Sequence, residues 1–311
     1  MENQIKIYET ITQADVDRFW EKLHNYFKRD IFPDPGDVDL EYFLSETQYR
    51  EPMQKIHDRK EDRCYYLFFN RNGQEIGFAM PVIYTSEDGK CFIMEFCVYP
   101  QFRGNGTGKA CAKALLNWAK TRGAQYAELN SSNDPRRVRF WESIGFIKNG
   151  YDEWGEPLMI LPPKEELPIT VEILNHAENW QLMKLENGFL QEIGEPAITE
   201  EKQERLTKAI QEGKITFFIA KRDCRAVGMC SIVRCFSTFT CSEIGILDDF
   251  YIEPAFRRKG IARKLTTAAQ KWAAKTGLAS VSVTCAPCDE KMYQALGFRT
   301  KLGSNYAVIL K

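Results

Sequence analysis

Apolar and polar residues alternate along this chain in two different rhythms, and the order of the rhythms repeats. From Ile261, apolar side chains return at Leu265, Ala268 and Trp272, the three-to-four spacing of a helix with one buried stripe. Residues 64–84 and 215–236 are instead dense in β-branched and aromatic residues. Each is broken once by turn formers, Asn72-Gly73 and Asp223-Cys224, so each predicts a hairpin. Helical segments precede them, residues 13–27 in one half and 176–193 in the other. After each hairpin come a strand ending at Pro100 or Pro254, a glycine-bearing loop and a helix. A short strand follows (126–132, 280–286), then a helix (136–144, 290–296) and a last strand (156–162, 305–311). This predicts an α/β chain in which mixed sheets are flanked by helices.

The two halves superpose at the level of single residues. With an offset of 154, Pro100 meets Pro254, Phe102 meets Phe256, Arg103 meets Arg257, Gly106 meets Gly260, and Trp118 meets Trp272. The offset is 151 at Gly77 and Gly228, and 152 where "FWESIGF" meets "MYQALGF". Small slips in a steady offset mark a duplicated domain; solenoid repeats are far shorter, roughly 20–50 residues. The expected division is a first domain over 1–162, a linker over 163–168 and a second domain over 169–311. The linker falls in the proline-rich, charged "LPPKEELPIT".

Composition narrows the partners. With 42 basic and 43 acidic residues the formal net charge is −1, which leaves no basic footprint for nucleic acid. No apolar run approaches a membrane span, and the polar start "MENQIKIYET" does not read as a signal peptide. Ten cysteines scattered through regular segments read as reduced thiols, so a cytoplasmic protein is expected.

The glycine loops carry the chemistry. A strand-to-helix turn exposes backbone N–H groups whose dipole favours an anion, and glycine lets the ligand approach. Arg103 in one loop, and Arg257, Arg258 and Lys259 in the other, add positive charge, so a pyrophosphate suits both. The spacing of Gly104, Gly106 and Gly108 misses both the Walker loop and the G-x-G-x-x-G fingerprint.

Arg-x-x-Gly-x-Gly (Arg103, Gly106, Gly108) and Arg-x-x-Gly-x-Ala (Arg257, Gly260, Ala262) resemble the acyl-CoA motif of the GNAT superfamily of N-acetyltransferases, as do "ESIGF" and "QALGF". The resemblance covers most of both halves. It implies two tandem acyl-CoA N-acyltransferase-type domains, each with a mostly antiparallel sheet whose fourth and fifth strands splay to admit the pantetheine arm. Acetyl-CoA would then be the co-substrate, with no metal, and the acceptor a small-molecule or peptide amine. The cofactor positions it implies are Cys97, Val98, Arg103, Gly104, Asn105, Gly106, Thr107, Gly108 and Lys109 in the first copy. In the second they are Tyr251, Ile252, Arg257, Arg258, Lys259, Gly260, Ile261, Ala262 and Arg263.

Acetyl transfer to an amine needs a base for the amine, a donor for the thioester oxygen and a proton for the departing thiolate. The family's usual acid is a tyrosine before the Gly-Phe pair. Tyr293 stands there in the second copy, and Trp141 in the first. For the base, Asp248 and Asp249 resemble the acidic pair of spermidine/spermine-type members. Strand neighbours face opposite ways, which favours Asp248 by position, although a bulge would swap the choice. Met94 and Glu95 hold the matching places in the first copy. The second domain is therefore expected to carry the chemistry, and the first to bind acyl-CoA and transfer slowly or not at all. Cys285 and Cys288 form a C-x-x-C without the two further ligands zinc would want, so packing residues are expected. Arg136 to Arg139 read equally as a phosphate contact or a wet helix face.

Overall fold

The computed structural model describes residues 4–34, 36–152, 154–163, 167–174 and 180–303. The last strand expected from sequence, 305–311, lies outside the described residues. The chain divides into two compact units, Met1–Pro163 and Lys164–Lys311.

In the first unit a sheet is built from β1 (Lys6–Glu9), β2 (Arg63–Cys64), β3 (Leu67–Arg71), β4 (Gln74–Tyr84), β5 (Lys90–Val98), β6 (Tyr126–Asn130), β7 (Ile147–Tyr151) and β8 (Pro157–Leu161). The order across it is β1-β3-β4-β5-β6-β8-β7, with β2 beside β4. Every pairing is antiparallel except β5 with β6. Helices α1 (Gln13–Tyr26), α2 (Val38–Leu44), α3 (Glu51–His57), α4 (Thr107–Thr121) and α5 (Pro135–Glu142) complete the unit. Strand β5 separates two cores, its alternation broken once between Ile93 and Glu95. Ile93 and Val98 pack with Cys111 and Leu115 of α4, while Met94 and Cys97 pack with Phe19 and Leu23 of α1.

The second unit repeats the plan with β9 (Ile169–Ile173), α6 (Trp180–Glu192), α7 (Glu200–Gln211), β10 (Ile215–Arg222), β11 (Arg225–Ser237), β12 (Ser242–Ile252), α8 (Ile261–Lys275), β13 (Val281–Val283) and α9 (Glu290–Ala295). Its order is β13-β12-β11-β10-β9. Again only one pairing, β12 with β13, is parallel.

The parallel ladders are short, and their shortness opens the site. β5 pairs with β6 only from Lys90 to Phe92, yet continues to Val98. β12 pairs with β13 only from Gly245 to Leu247, yet continues to Ile252. On the opposite edge the strand stays close: a Cβ on Gly77 would lie 2.2 Å from the Cys97 carbonyl oxygen, and one on Gly228 would lie 2.9 Å from that of Tyr251. The two matched glycines thus let each hairpin hold the strand from one side while the other side parts.

A buried ion pair ties the end of β12 to the start of β11. Arg225 is 0% and Glu253 4% exposed, and Nη2 of Arg225 donates to both carboxylate oxygens at 2.8 Å. Losing one partner of such a pair costs about 3–5 kcal/mol, because the other charge stays buried. Lys184 Nζ, 3.7 Å from Glu253, softens the loss. Arg225→Met is therefore expected to lower stability by about 3 kcal/mol in chemical denaturation, and adding Glu253→Gln should recover much of it. No helix among the described residues is long and apolar enough to cross a membrane.

Candidate functional site

Each glycine loop turns directly into a helix. Gly106 and Gly260 cap α4 and α8 with φ of 76° and 78°, left-handed values that glycine adopts without strain. A Cβ built at Gly104, Gly106 or Gly260 would meet nothing within 4 Å, so the loops face open space. The first-turn N–H groups of a helix have no carbonyl partner within it and point outward. In the second loop Arg258 (φ 62°) and Gly260 are left-handed on either side of Lys259, which is not. Such alternation turns successive N–H groups into an anion-binding concavity. In the first loop Gly104, Asn105 and Gly106 are all left-handed.

Gly108 serves packing. A Cβ there would lie 3.0 Å from the Phe140 ring, whereas Ala262 keeps its methyl at the matching place. Arg258, Lys259, Arg263 and Lys109 are exposed beside their loops. Thr107 and Ile261 are buried under the first turns, and Arg71 reaches the Thr107 hydroxyl at 3.4 Å. Cys97, Val98 and Tyr251 bury their side chains, so they can offer a ligand only backbone; Ile252 is half-buried. A groove of about 470 Å³ follows α8 past Gly260, Arg263, Lys264 and Lys271.

The two motif arginines are occupied within the protein. Arg103 Nε donates to the Val98 carbonyl at 2.8 Å, and its Nη2 to Asp30 at 2.6 Å. Arg257 Nε donates to the Ile252 carbonyl at 2.8 Å, and its Nη2 to Glu192. Burial raises the Asp30 pKa, but hydrogen bonds from Arg29 and Arg103 outweigh it and hold the carboxyl below its ordinary value. The sequence reading offers these arginines to phosphate; in the structure each donates, in both copies, to a strand carbonyl and a carboxylate.

Opposite the opening strands lies an acidic cluster. The ladder of β11 with β12 jumps from Cys230↔Phe250 to Ile232↔Leu247, which leaves Asp248 and Asp249 together opposite Ser231. This β-bulge breaks the alternation on which the choice of Asp248 rested. Asp248 is exposed and Asp249 half-buried. The Ser231 hydroxyl donates to the Asp249 carboxylate at 3.1 Å, and the Asp249 N–H donates to Ser231 Oγ at 3.0 Å. Burial, then the charge of Asp248, push the Asp249 carboxyl up to about 6, against the Ser231 hydrogen bond.

A third acid, Glu186 of α6, was missed from sequence. It is 6% exposed, and its Oε1 has no hydrogen-bond partner among the described residues. Burial first, then Asp249 and Asp248, push it up to about 8. Its signal was readable: Glu186 follows Leu182 by four and Met183 by three, which puts an acid on the buried stripe of α6.

Tyr293 of α9 packs edge-on against Phe250 and Phe298, at centroid distances of 6.1 and 5.9 Å. Burial, then the charges of Asp289, Cys285 and Cys230, push its phenol up to about 12, so it holds its proton at neutral pH. In the first unit Trp141 is buried against Phe96, Phe140 and Phe146. The same bulge recurs there between Met80 and Pro81, at Met94. Burial raises the Glu95 carboxyl to about 8, opposed by Arg137. Arg137 also donates to the Asp30 carbonyl at 3.1 Å, which places one residue of the arginine run inside this cluster. Cys285 is half-buried and Cys288 exposed, and both are free thiols.

The model of a family described as the acetyltransferase (GNAT) family matches residues 20–146 and again 179–298. Aminoglycoside N(6′)-acetyltransferase type 1 of Salmonella typhimurium and that of Salmonella enteritidis are each 30% identical over 95 residues, or 29% of this chain. The chain spans 66% of the length of these curated relatives. Among solved structures, a probable acetyltransferase matches 47% of this chain and 99% of its own at 23% identity, with a TM-score of 0.41. A predicted acetyltransferase with acetyl-CoA, from Clostridium acetobutylicum, matches 45% and 96% at 16% identity, also with a TM-score of 0.41.

Proposed function

The chain belongs to the acetyltransferase (GNAT) family, and from that premise we propose that it is an N-acetyltransferase carrying acetyl groups from acetyl-CoA to a primary amine, with the chemistry in the second unit. The assignment to that unit rests on one difference: Tyr293, whose phenol keeps its proton, stands where the first unit buries Trp141. A half-buried carboxylate, Asp249, sits on the bulge just past the last residue that β12 pairs with β13, on the strand that leads to the left-handed Gly260 loop.

The residues present fit an acyl-CoA. The open, alternating loop at Arg258–Gly260 and the first turn of α8 would hold the pyrophosphate through backbone N–H groups, with Arg258, Lys259 and Arg263 adding charge. Arg257 braces that loop against Ile252 and Glu192. When bound, acetyl-CoA supplies an activated acyl carbon, which exchanges its C–S bond for a C–N bond. Asp249 takes the proton that the attacking nitrogen must lose, with its carboxylate oriented by Ser231. Tyr293 gives its proton to the departing sulfur.

Turnover of an amine panel tests this reading. Tyr293→Phe keeps the ring packing and removes only the proton. It is expected to lower kcat by about 10²-fold, the low end for general acid catalysis, because a thiolate also leaves without help. If acetyl-CoA binds, no amine is acetylated and Tyr293→Phe changes nothing, the chain is an acyl-CoA-binding module and not an enzyme.

The first unit has a matching glycine loop capped at left-handed Gly106 and a bulge at the matching place, so acyl-CoA binding is proposed there too, with slow transfer because Trp141 replaces the acid. Glu95 favours a second reading in which this unit is also active. A loss of activity in Glu95→Gln matching that in Asp249→Asn would support it.

A further inference from the structure

Arg222 ends β10, and its match in the first unit, at the offset of 151 that pairs Gly77 with Gly228, is Arg71. Nη1 of Arg71 reaches the Thr107 hydroxyl in the first turn of α4 at 3.4 Å. In the second unit Ile261 takes the place of Thr107; it is 1% exposed and its side chain accepts no hydrogen bond. Arg222 thus loses the acceptor that its counterpart keeps. It is 5% exposed, and Nε and Nη1 are sealed from water with no hydrogen-bond partner among the described residues, while Nη2 is not sealed. The Phe256 ring lies 5.5 Å from Cζ and answers only part of the charge. A buried cation is ordinarily matched by a carboxylate or another acceptor.

A cavity opens on the same face. Arg222 stands opposite Ile169 in the ladder of β10 with β9, and Ala220 opposite Val171. Directly opposed residues project from one side of a sheet. Ile169 and Val171 form one wall of the groove of about 470 Å³, and α8 from Gly260 to Lys271 forms the other. Arg263, Lys264 and Lys271 line it, and among the described residues no carboxylate does. The matching positions of the first unit are Lys109, Ala110 and Asn117, so this concentration of charge belongs to the second unit. The groove runs beside β9, at the opposite edge of the sheet from β13 and the parting of β12.

We propose that Arg222, with Lys264 and Lys271 along the groove, forms an anion site for a phosphomonoester dianion, separate from the pyrophosphate concavity at Arg258–Gly260. A phosphate suits it because a guanidinium pairs with phosphate oxygens through two parallel N–H bonds, and a dianion answers more than one of these cations. Two sources share that chemistry: the 3′-phosphate of a bound CoA, and free phosphate. Only the first rests on the acyl-CoA reading above.

The test uses the full chain and Arg222→Met, which keeps the bulk of the side chain and removes its charge. Calorimetry compares CoA with 3′-dephospho-CoA, and the melting temperature of the CoA-saturated protein is followed with and without inorganic phosphate. If CoA supplies the dianion, the wild type should prefer CoA to 3′-dephospho-CoA by about tenfold, the factor of one charge-assisted hydrogen bond, and Arg222→Met should lower that preference. If the dianion is free, inorganic phosphate should raise the melting temperature of the wild type more than that of Arg222→Met, with the coenzyme preference alike in both. Should wild type and variant agree in both measurements, the proposal is overturned. If Arg222→Met does not fold, the double variant Lys264→Ala with Lys271→Ala, at two exposed positions, reads the same groove, and agreement with the wild type there is equally fatal. If CoA does not bind at all, the acyl-CoA reading fails on its own. The anion site is then decided by the melting shift with inorganic phosphate alone: a shift reduced in Arg222→Met supports it, and equal shifts overturn it.

Discussion

Asp249→Asn is expected to lower kcat by about 10²–10⁴-fold, the span that a positioned general base contributes. The same variant should flatten the pH profile. A base acts only when ionised, and burial together with Asp248 has moved this carboxyl up to about 6. Wild-type activity should therefore climb as pH rises through about 6, and Asp249→Asn should show no such step. Stability moves the opposite way. An acid whose folded pKa is raised binds more protons folded than unfolded, so it costs stability as pH rises above its ordinary value. For Asp249 that loss begins near its ordinary value of 3.8 and is complete above about 6; for Glu186 it extends to about 8. Asp249→Asn should thus melt at a higher temperature than the wild type at pH 8 while being far less active. A merely structural Asp249 gives a different pair of results: a lower melting temperature and a modest loss of activity at every pH.

Much of this was legible in the chain. The duplicated order of hairpin, strand, glycine loop and helix follows from period and turn residues, and each such element is present in both units. The short edge strands β1, β7 and β9 were not read. Lys6–Glu9 and Ile147–Tyr151 have too few apolar residues to outvote their polar ones, and only pairing with a neighbouring strand makes them strands. Helix α7 was missed as well. It buries little beyond Ile210, so the apolar stripe is thin.

At the site, the loops and the tyrosine were visible because they are local. The bulge was not, because two residues opposite one is a property of the pair of strands. For the same reason the choice between Asp248 and Asp249 needed Ser231, eighteen residues upstream. The arginine partners Asp30 and Glu192 lie 73 and 65 residues from the arginines they bind, with no motif to announce them. Gly77 and Gly228 were matched as a repeat, but the reason for them, a carbonyl oxygen where a Cβ would stand, exists only in the folded sheet.

Gly260→Glu is expected to abolish measurable turnover, whereas Gly106→Glu should leave most of it. The two substitutions form an internal control because their structural cost is the same. Both glycines cap a helix at nearly equal left-handed φ, and in neither case does a Cβ meet anything within 4 Å. Each variant therefore pays only the left-handed strain of an L-residue, about 1–2 kcal/mol, and both should fold with similar, modest losses of melting temperature. What differs is what the new carboxylate blocks. At Gly260 it enters the concavity between Arg258 and α8 and sets a negative charge where the pyrophosphate would sit, removing donor binding from the unit proposed to hold the base and the acid. At Gly106 it does the same to the unit whose acid position is Trp141. Counting bound CoA per chain by mass gives the second reading. Gly260→Glu and Gly106→Glu should each lose the molecule of their own loop, yet only the first should lose turnover. The reverse pattern would move the chemistry to the first unit, with Glu95 as its base. Equal and partial losses would mean that both units turn over, and that the tyrosine distinguishing them is not needed for the thiolate to leave.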